Sequence, residues 1–251
     1  MADTRIAFPT DEHFPYQDEL ARSVALQIVR DFSPHEIMAG SDGLDFYALS
    51  VFDHDPIRIK DGNLQREIEQ WQAGQREWIS AAPKAKRHYI PGNHEFRFER
   101  QLWKIPFFEL DVLKLSSVLG FDKLNIPGEA EHEVVYDGLV IRHGNLVRKG
   151  SAYTAKAELE AEKYSVSIMT GHTHRGGCHM ALTRTGVVQA YECFCLCDLP
   201  PPYANGKRFD WQQGLTLATV GDAGLSVDNI LFQRKFGKVV ARWQGQEYIS
   251  E

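Results

Sequence analysis

The chain has 251 residues, 43% of them hydrophobic and 25% charged, an ordinary globular composition with enough length to enclose one sizeable core. Its formal charge of -6 excludes attachment to nucleic acid or an anionic membrane through a global positive field, and leaves a local positive site open. The first residues show neither the apolar core of a signal peptide nor a spanning segment, so one cytoplasmic domain over residues 1–251, with no membrane partner, is the expectation.

In chain order, a strand is expected at residues 5–10 and a helix from about 18 to 30, where Leu20, Val24 and Ile28 recur four apart between charges. A second strand at 36–39 precedes a long helix near 63–79, whose Leu64, Ile68, Trp71 and Trp78 keep helical spacing, and a strand at 87–90 follows. Strand, helix, strand, helix, strand is an α/β pattern with parallel pairing. Helices are expected over roughly 96–103 and 111–119, then a hairpin in which 133–136 and 139–142 flank the Asp137-Gly138 turn. A helix near 153–163 leads to a strand at 166–170. The last eighty residues read mainly as strands, at 180–184, 187–191, 215–220, 227–232 and 239–243.

The four cysteines are Cys178, Cys193, Cys195 and Cys197, and the last three alternate like one face of a strand. Neighbours on one strand face are held too far apart to form a disulfide readily, and a thiolate metal site would call for C-x-x-C pairs, so buried or half-buried free thiols are expected.

Four segments concentrate chemistry, and each follows an apolar run that reads as a strand. They are Asp11-Glu12-His13, Ser41-Asp42-Gly43-Leu44-Asp45, Gly92-Asn93-His94-Glu95, and His143-Gly144 together with Gly171-His172-Thr173-His174. In open α/β sheets the crevice beyond the carboxyl ends of the strands gathers such loops. Carboxylate, imidazole and amide donors suit divalent first-row metals, and residues two apart in extended chain share a side. Each piece alone is as readily a turn, a capped helix start or a surface histidine. Their joint order at strand exits, using five of the ten histidines, shifts the balance toward a hydrolytic metal centre. His35, His54, His88, His132 and His179 show no such arrangement and read as surface or packing residues, with His54 alone near enough to the motifs to merit a test.

These motifs resemble the calcineurin-like metallophosphoesterase superfamily, whose pattern runs D-x-H, G-D-x-x-D, G-N-H-[DE], H and G-H-x-H. The closer likeness is to compact phage and bacterial members, through His13-Phe14-Pro15-Tyr16, Leu44-Asp45-Phe46-Tyr47, the stretch from Ser151 to Lys156, and Cys195-Leu196-Cys197-Asp198-Leu199. The resemblance implies an α/β fold, a four-layer α-β-β-α sandwich of two mixed sheets, and host cytoplasm as the location if the chain is phage-encoded. It implies one metal held by Asp11, His13, Asp42 and His174 and another by Asp42, Asn93, His143 and His172, with Asp42 bridging. Two divalent ions would be manganese first, with iron, zinc or nickel as alternatives. The implied reaction is attack of a metal-bridging hydroxide on a phosphate ester, a phosphodiester foremost, with His94 as general acid partnered by Asp45.

Arg175 and Arg142, beside His174 and His143, are candidates for the substrate phosphate, although on spacing alone they read as surface arginines. Three departures stand out: Ser41 replaces the glycine of G-D with Gly40 before it, Glu12 adds a carboxylate beside the first metal site, and Phe46 stands where protein phosphatases of the superfamily carry arginine. A phosphomonoesterase and a catalytically silent metal-binding scaffold are the rival readings. A nucleotide or nucleic acid is among the candidate substrates. The basic residues nearest the motifs are Lys84, Lys86 and Arg87 with Arg97 and Arg100. Such clusters usually form solvated faces, and the helical spacing of Phe96, Phe98 and Trp103 favours core packing over base stacking. Oligomeric state is not legible.

Overall fold

The computed structural model describes residues 3–50, 63–107, 109–147, 154–201 and 209–251. His54, the Ser151–Tyr153 part of the family likeness and the loop around Tyr203 fall outside these residues.

The first sheet has β1 (Thr4–Phe8), β2 (Glu36–Gly40) and β3 (Lys86–Ile90) side by side and parallel, extended past β1 by β9 (Gly214–Gly221) and β10 (Gly224–Leu231), so the order is β10-β9-β1-β2-β3. The second sheet runs β4-β5-β6-β8-β7, from β4 (Glu133–Tyr136), β5 (Leu139–Arg142), β6 (Ser167–Thr170), β7 (Gly176–Thr183) and β8 (Gly186–Cys193), with β5, β6 and β8 parallel. Both sheets are therefore mixed.

Alternation along the strands decides which layer each residue joins. Ile6, Phe8, Met38 and Ile90 of the first sheet meet Leu139, Ile141 and Met169 of the second in the central core. Ala7 and Ile37 face the other way, into a layer formed by α1 (Glu19–Phe32) and α2 (Leu64–Ala81). On the far side, Ile168 and Ala190 are covered by Ala155 and Leu159 of α5 (Ala155–Ala161). The result is helices outside two facing sheets, as expected.

The helices begin where capping chemistry places them. Asp18 accepts from the Ala21 amide at the start of α1, and Asn63 accepts from Gln65 and Arg66 at the start of α2. Three expectations are corrected. Residues 111–119 are not one helix but a 3-10 turn, Asp111–Leu113, followed by α4 (Leu115–Leu119). A third, antiparallel sheet of β11 (Gln233–Lys235), β12 (Lys238–Trp243) and β13 (Gln246–Ile249) joins the outer layer, where Val239, Ala241 and Tyr248 pack beside α1. The cysteine alternation is not one strand face, because β8 ends at Cys193 and Phe194 turns left-handed at φ 63°. Among the described residues no helix is long and apolar enough to cross a membrane.

Candidate metal centre

The ends of β1, β2 and β3 from one sheet and of β5 and β6 from the other open onto the same crevice, which is where the motif residues meet. Asp11 and His13 follow β1, Asp42 follows β2 and Asn93 follows β3. His143 follows β5, and His172 with His174 follows β6.

Of the four clusters of potential donors among the described residues, two are made of the residues singled out as metal donors, while the others join His174 to Cys195 and Cys197 and His13 to Asp45 and His94. In the first, the His174 Nε2 lies 3.1 Å from an Asp11 oxygen and 3.0 Å from the His13 Nε2. In the second, the His143 Nε2 lies 3.2 Å from Asp42 Oδ2 and 3.1 Å from Asn93 Oδ1, with His172 in the same cluster. The same Asp42 Oδ2 is 4.0 Å from the His13 Nε2, so one carboxylate oxygen stands between the groups. The structure thus brings together all seven residues singled out as metal donors.

Electrostatics of the cluster suit cations. Burial would raise Asp11 and Asp42, but the surrounding imidazoles hold both carboxyls well below the usual range. Burial lowers His13, yet Asp11 and Asp45 lift it above the ordinary imidazole value. His174 is likewise opposed by burial and lifted, by Cys197 and Asp11, to about 9. Two Nε2 atoms 3.0 Å apart cannot both carry a proton toward each other, so a shared cation is a better neighbour for both than a second proton. Paired carboxylates, an amide oxygen and imidazole nitrogens make a donor set that fits divalent first-row ions.

The rings are held from behind, a requirement for well-aimed ligands. The His143 Nδ1 lies 2.8 Å from the Ser41 hydroxyl, the His13 Nδ1 is 3.4 Å from Asp45 Oδ2, and the His174 Nδ1 is 3.9 Å from the Cys197 sulfur. Trp211 packs edge-on against the His174 ring at 4.1 Å between centroids. The buried Glu95 carboxylate accepts from the amides of Asp42, Leu44 and Gly92, tying the loops after β2 and β3 together. The donors Asp11, His13, Asp42, His172 and His174 all have positive φ, as does Ser41 beside them, a concentration of strained backbone at the cluster. Gly92 is required by proximity, since a Cβ there would stand 2.1 Å from Asp42 Oδ1.

Several expected roles change. Ser41 keeps the left-handed backbone, at φ 57°, that the family glycine would adopt freely, and its hydroxyl orients His143. Glu12 is not an extra carboxylate at the metal site. Its side chain turns inward to Arg22 at 2.8 Å and the Trp78 indole at 3.1 Å. Asp45 presents its backbone carbonyl to the His94 Nδ1 at 2.8 Å, while its carboxylate is closer to His13, at 3.4 Å, than to His94, at 3.8 Å. The His94 Nε2 accepts from Arg97 at 2.9 Å and faces Asp42 Oδ2 at 3.8 Å. Burial chiefly, with His13 and Arg97 adding to it against Asp42 and Asp45, lowers His94 to about 4, so Asp45 does not keep this ring charged.

Arg142 is gripped by Glu158 at 2.6 Å and Glu162 at 2.8 Å, and Arg175 by Glu192 at 2.7 Å. Both guanidiniums already have carboxylate partners. Arg87 is buried and does not belong to a surface patch with Lys84 and Lys86. His88 is a packing residue, held between Glu36 at 2.8 Å and Glu131 at 2.7 Å. Ser41, Glu95, Arg97 and Cys197 were not assigned these supporting contacts from sequence. Only the position of Glu95 inside G-N-H-E carried a signal.

A cavity of about 570 Å³ at the opposite end of the strands, around Thr4, Gly138 and Ser167, contains none of these donors. One of about 460 Å³ includes Asn93 and so adjoins them.

No protein-family profile matches the chain. The gene 54 protein of Mycobacterium phage D29 is 24% identical over 228 residues, covering 86% of this chain and 89% of its own. Among solved structures, Vps29 from Chaetomium thermophilum is 11% identical with a TM-score of 0.48, covering 98% of each chain. A conserved uncharacterized protein from Streptococcus pneumoniae, titled a predicted phosphoesterase, is 12% identical with a TM-score of 0.39, covering 99% of this chain and 98% of its own.

Proposed function

We propose that this chain is a metallophosphoesterase of the calcineurin-like type, hydrolysing phosphate esters, with diesters preferred, on two divalent ions of which manganese is the first choice. The observation that carries the reading is Asp42 Oδ2, standing between a donor group from β1 and β6 and a second from β3, β5 and β6. Bound there, two dications supply charge neutralisation for a phosphoryl oxygen and activation of water. Asp11, His13, Asp42 and His174 would hold one and Asp42, Asn93, His143 and His172 the other.

The rest of the work belongs to the chain's own groups. His94 sits over Asp42 with Nδ1 donating to the Asp45 carbonyl, which fixes the ring and aims Nε2 at the donors. The acid role asks for a proton on that Nε2. A phosphoryl oxygen that draws away the Arg97 guanidinium would free the nitrogen and place beside it the negative charge that raises its proton affinity.

The experiment is hydrolysis of a chromogenic phosphodiester and its monoester by manganese-reconstituted protein, with metal content measured alongside. His94→Ala should lose about 10²- to 10⁴-fold in kcat while keeping its metal, and Asp42→Asn should lose metal and turnover together. Turnover that survives chelation, or none at all with both sites filled, would reject the reading.

A further inference from the structure

The cavity that shares Asn93 with the donor cluster has a second wall unlike anything else around the site. It is built by one face of α3 (Glu95–Leu102) and the residues after it, with Arg97, Arg100, Trp103 and Lys104 opposite Leu49 and Ser50. Residues 97, 100 and 104 share that face at intervals of three and four. Arg97 is committed to His94 and Asp45, which anchors the inner end of the wall to the site. Arg100 and Lys104 are exposed, the Lys104 ammonium donates only to the neutral Gln101 side chain at 2.7 Å among the described residues, and neither is in an ion pair there. Helical spacing predicts that Trp103 packs inward. Instead, α3 ends at Leu102, and Trp103 is 65% exposed at the cavity rim.

A protein of net charge -6 that opens exposed cations without a carboxylate partner among the described residues, and a bare indole, beside its donor cluster is arranged for an anion with an aromatic part. We propose that this cavity is the binding subsite for a single-stranded nucleic acid, with one base stacked on Trp103, a flanking phosphate held by Arg100 and Lys104, and the next phosphate delivered past Arg97 to the metal donors. Its volume, about 460 Å³, is within the range of small-ligand sites and suits a nucleotide unit. Stacking on an aromatic plane with cations tracking the backbone is the recurrent way single strands are held without base reading, so sequence preference should be slight. A duplex keeps its bases stacked on each other and offers none to Trp103. The subsite rests on the phosphoesterase reading only for what happens to the strand after it binds.

The test is fluorescence anisotropy with labelled phosphorothioate octathymidylate, which resists cleavage, on manganese-loaded protein over a series of salt concentrations. Trp103→Ala should weaken binding about tenfold. The double variant R100E/K104E should weaken it at least tenfold and flatten the salt dependence by about 0.7 in slope for each phosphate that is no longer neutralised. All three positions are exposed, and thermal melting checks that the variants fold. The control is K84E/K86E, the same charge change at the opposite end of β3, which should stay within twofold of wild type. Equal weakening by the two double variants, no saturable binding by wild type, or competition by inorganic polyphosphate that equals unlabelled strand would overturn the subsite. A strand that binds through these residues but yields no product from an unmodified oligonucleotide would sink the hydrolase reading and leave the subsite standing. Hydrolysis of a chromogenic diester with strand binding indifferent to these residues would do the reverse.

Discussion

At the scale of single residues, the donors were legible because their chemistry is unusual and their spacing short, whereas their supports were not. Ser41 reads in sequence as a missing glycine. Only folding shows its hydroxyl against the His143 Nδ1, because the two are 102 positions apart. Glu12 reads as a metal-site carboxylate because both its neighbours are donors. The left-handed residues on either side, Asp11 and His13, rotate it into the interior, where Arg22 meets it. Arg22 is itself buried, lies over the rings of Phe14 and Trp78, and also bonds Glu77 at 2.7 Å and the Gly74 carbonyl. A carboxylate stripped of such a partner stays desolvated, so Arg22→Met should cost about 3–5 kcal/mol in urea unfolding. Adding Glu12→Gln removes the stranded charge, so the double variant should recover part of that loss. If the double is no more stable than the single, the charge of Glu12 is not what Arg22 compensates.

At the scale of elements, sequence pattern sufficed for β1, α1, β2, α2 and β3, since the two helices repeat apolar positions along one face and the strands are short runs buried on both faces between them. It failed where tertiary partners decide. β11 is three residues long and β13 four, with only Tyr248 of β13 buried, so neither carries a pattern before β12 lies beside it. The crossing of α1 over α2 shows how an element reaches the site. Gly74, inside α2, leaves room for the Phe14 ring and the Arg22 guanidinium, and a Cβ there would stand 2.4 Å and 2.8 Å from them. Glycine to alanine in a helix ordinarily gains about 1 kcal/mol from propensity. Here overpacking should reverse the sign, with Gly74→Ala less stable by about 1–3 kcal/mol by chemical denaturation. Phe14 adjoins His13, so weaker metal uptake should accompany the loss of stability. A variant more stable than wild type would mean that Phe14 yields without cost.

At the scale of the molecule, the donors are divided between the two sheets. Asp11, His13, Asp42 and Asn93 come from the first, and His143, His172 and His174 from the second. The core between the sheets is apolar and supplies attraction without direction, whereas ions bound at this cluster would tie the carboxyl ends of the two sheets at fixed positions. The division also explains why the site could be anticipated as a set but not as a shape. The order of motifs names the strand ends, while the stacking of one sheet on the other brings them within bonding distance. If metal binds the folded cluster and not the open chain, stability should rise with the logarithm of metal concentration, by about 2.7 kcal/mol at a hundredfold excess over Kd. In a chain of this length, that corresponds to a rise of roughly 5–10 °C in Tm. Differential scanning calorimetry with added manganese should show the rise, a chelator should reverse it, and Asp42→Asn should abolish most of it because that carboxylate serves both donor groups. A rise that persists undiminished in Asp42→Asn would place the stabilising ion elsewhere on the protein. No rise at metal concentrations that fill the protein would mean that the open chain binds the ions as tightly as the folded cluster does.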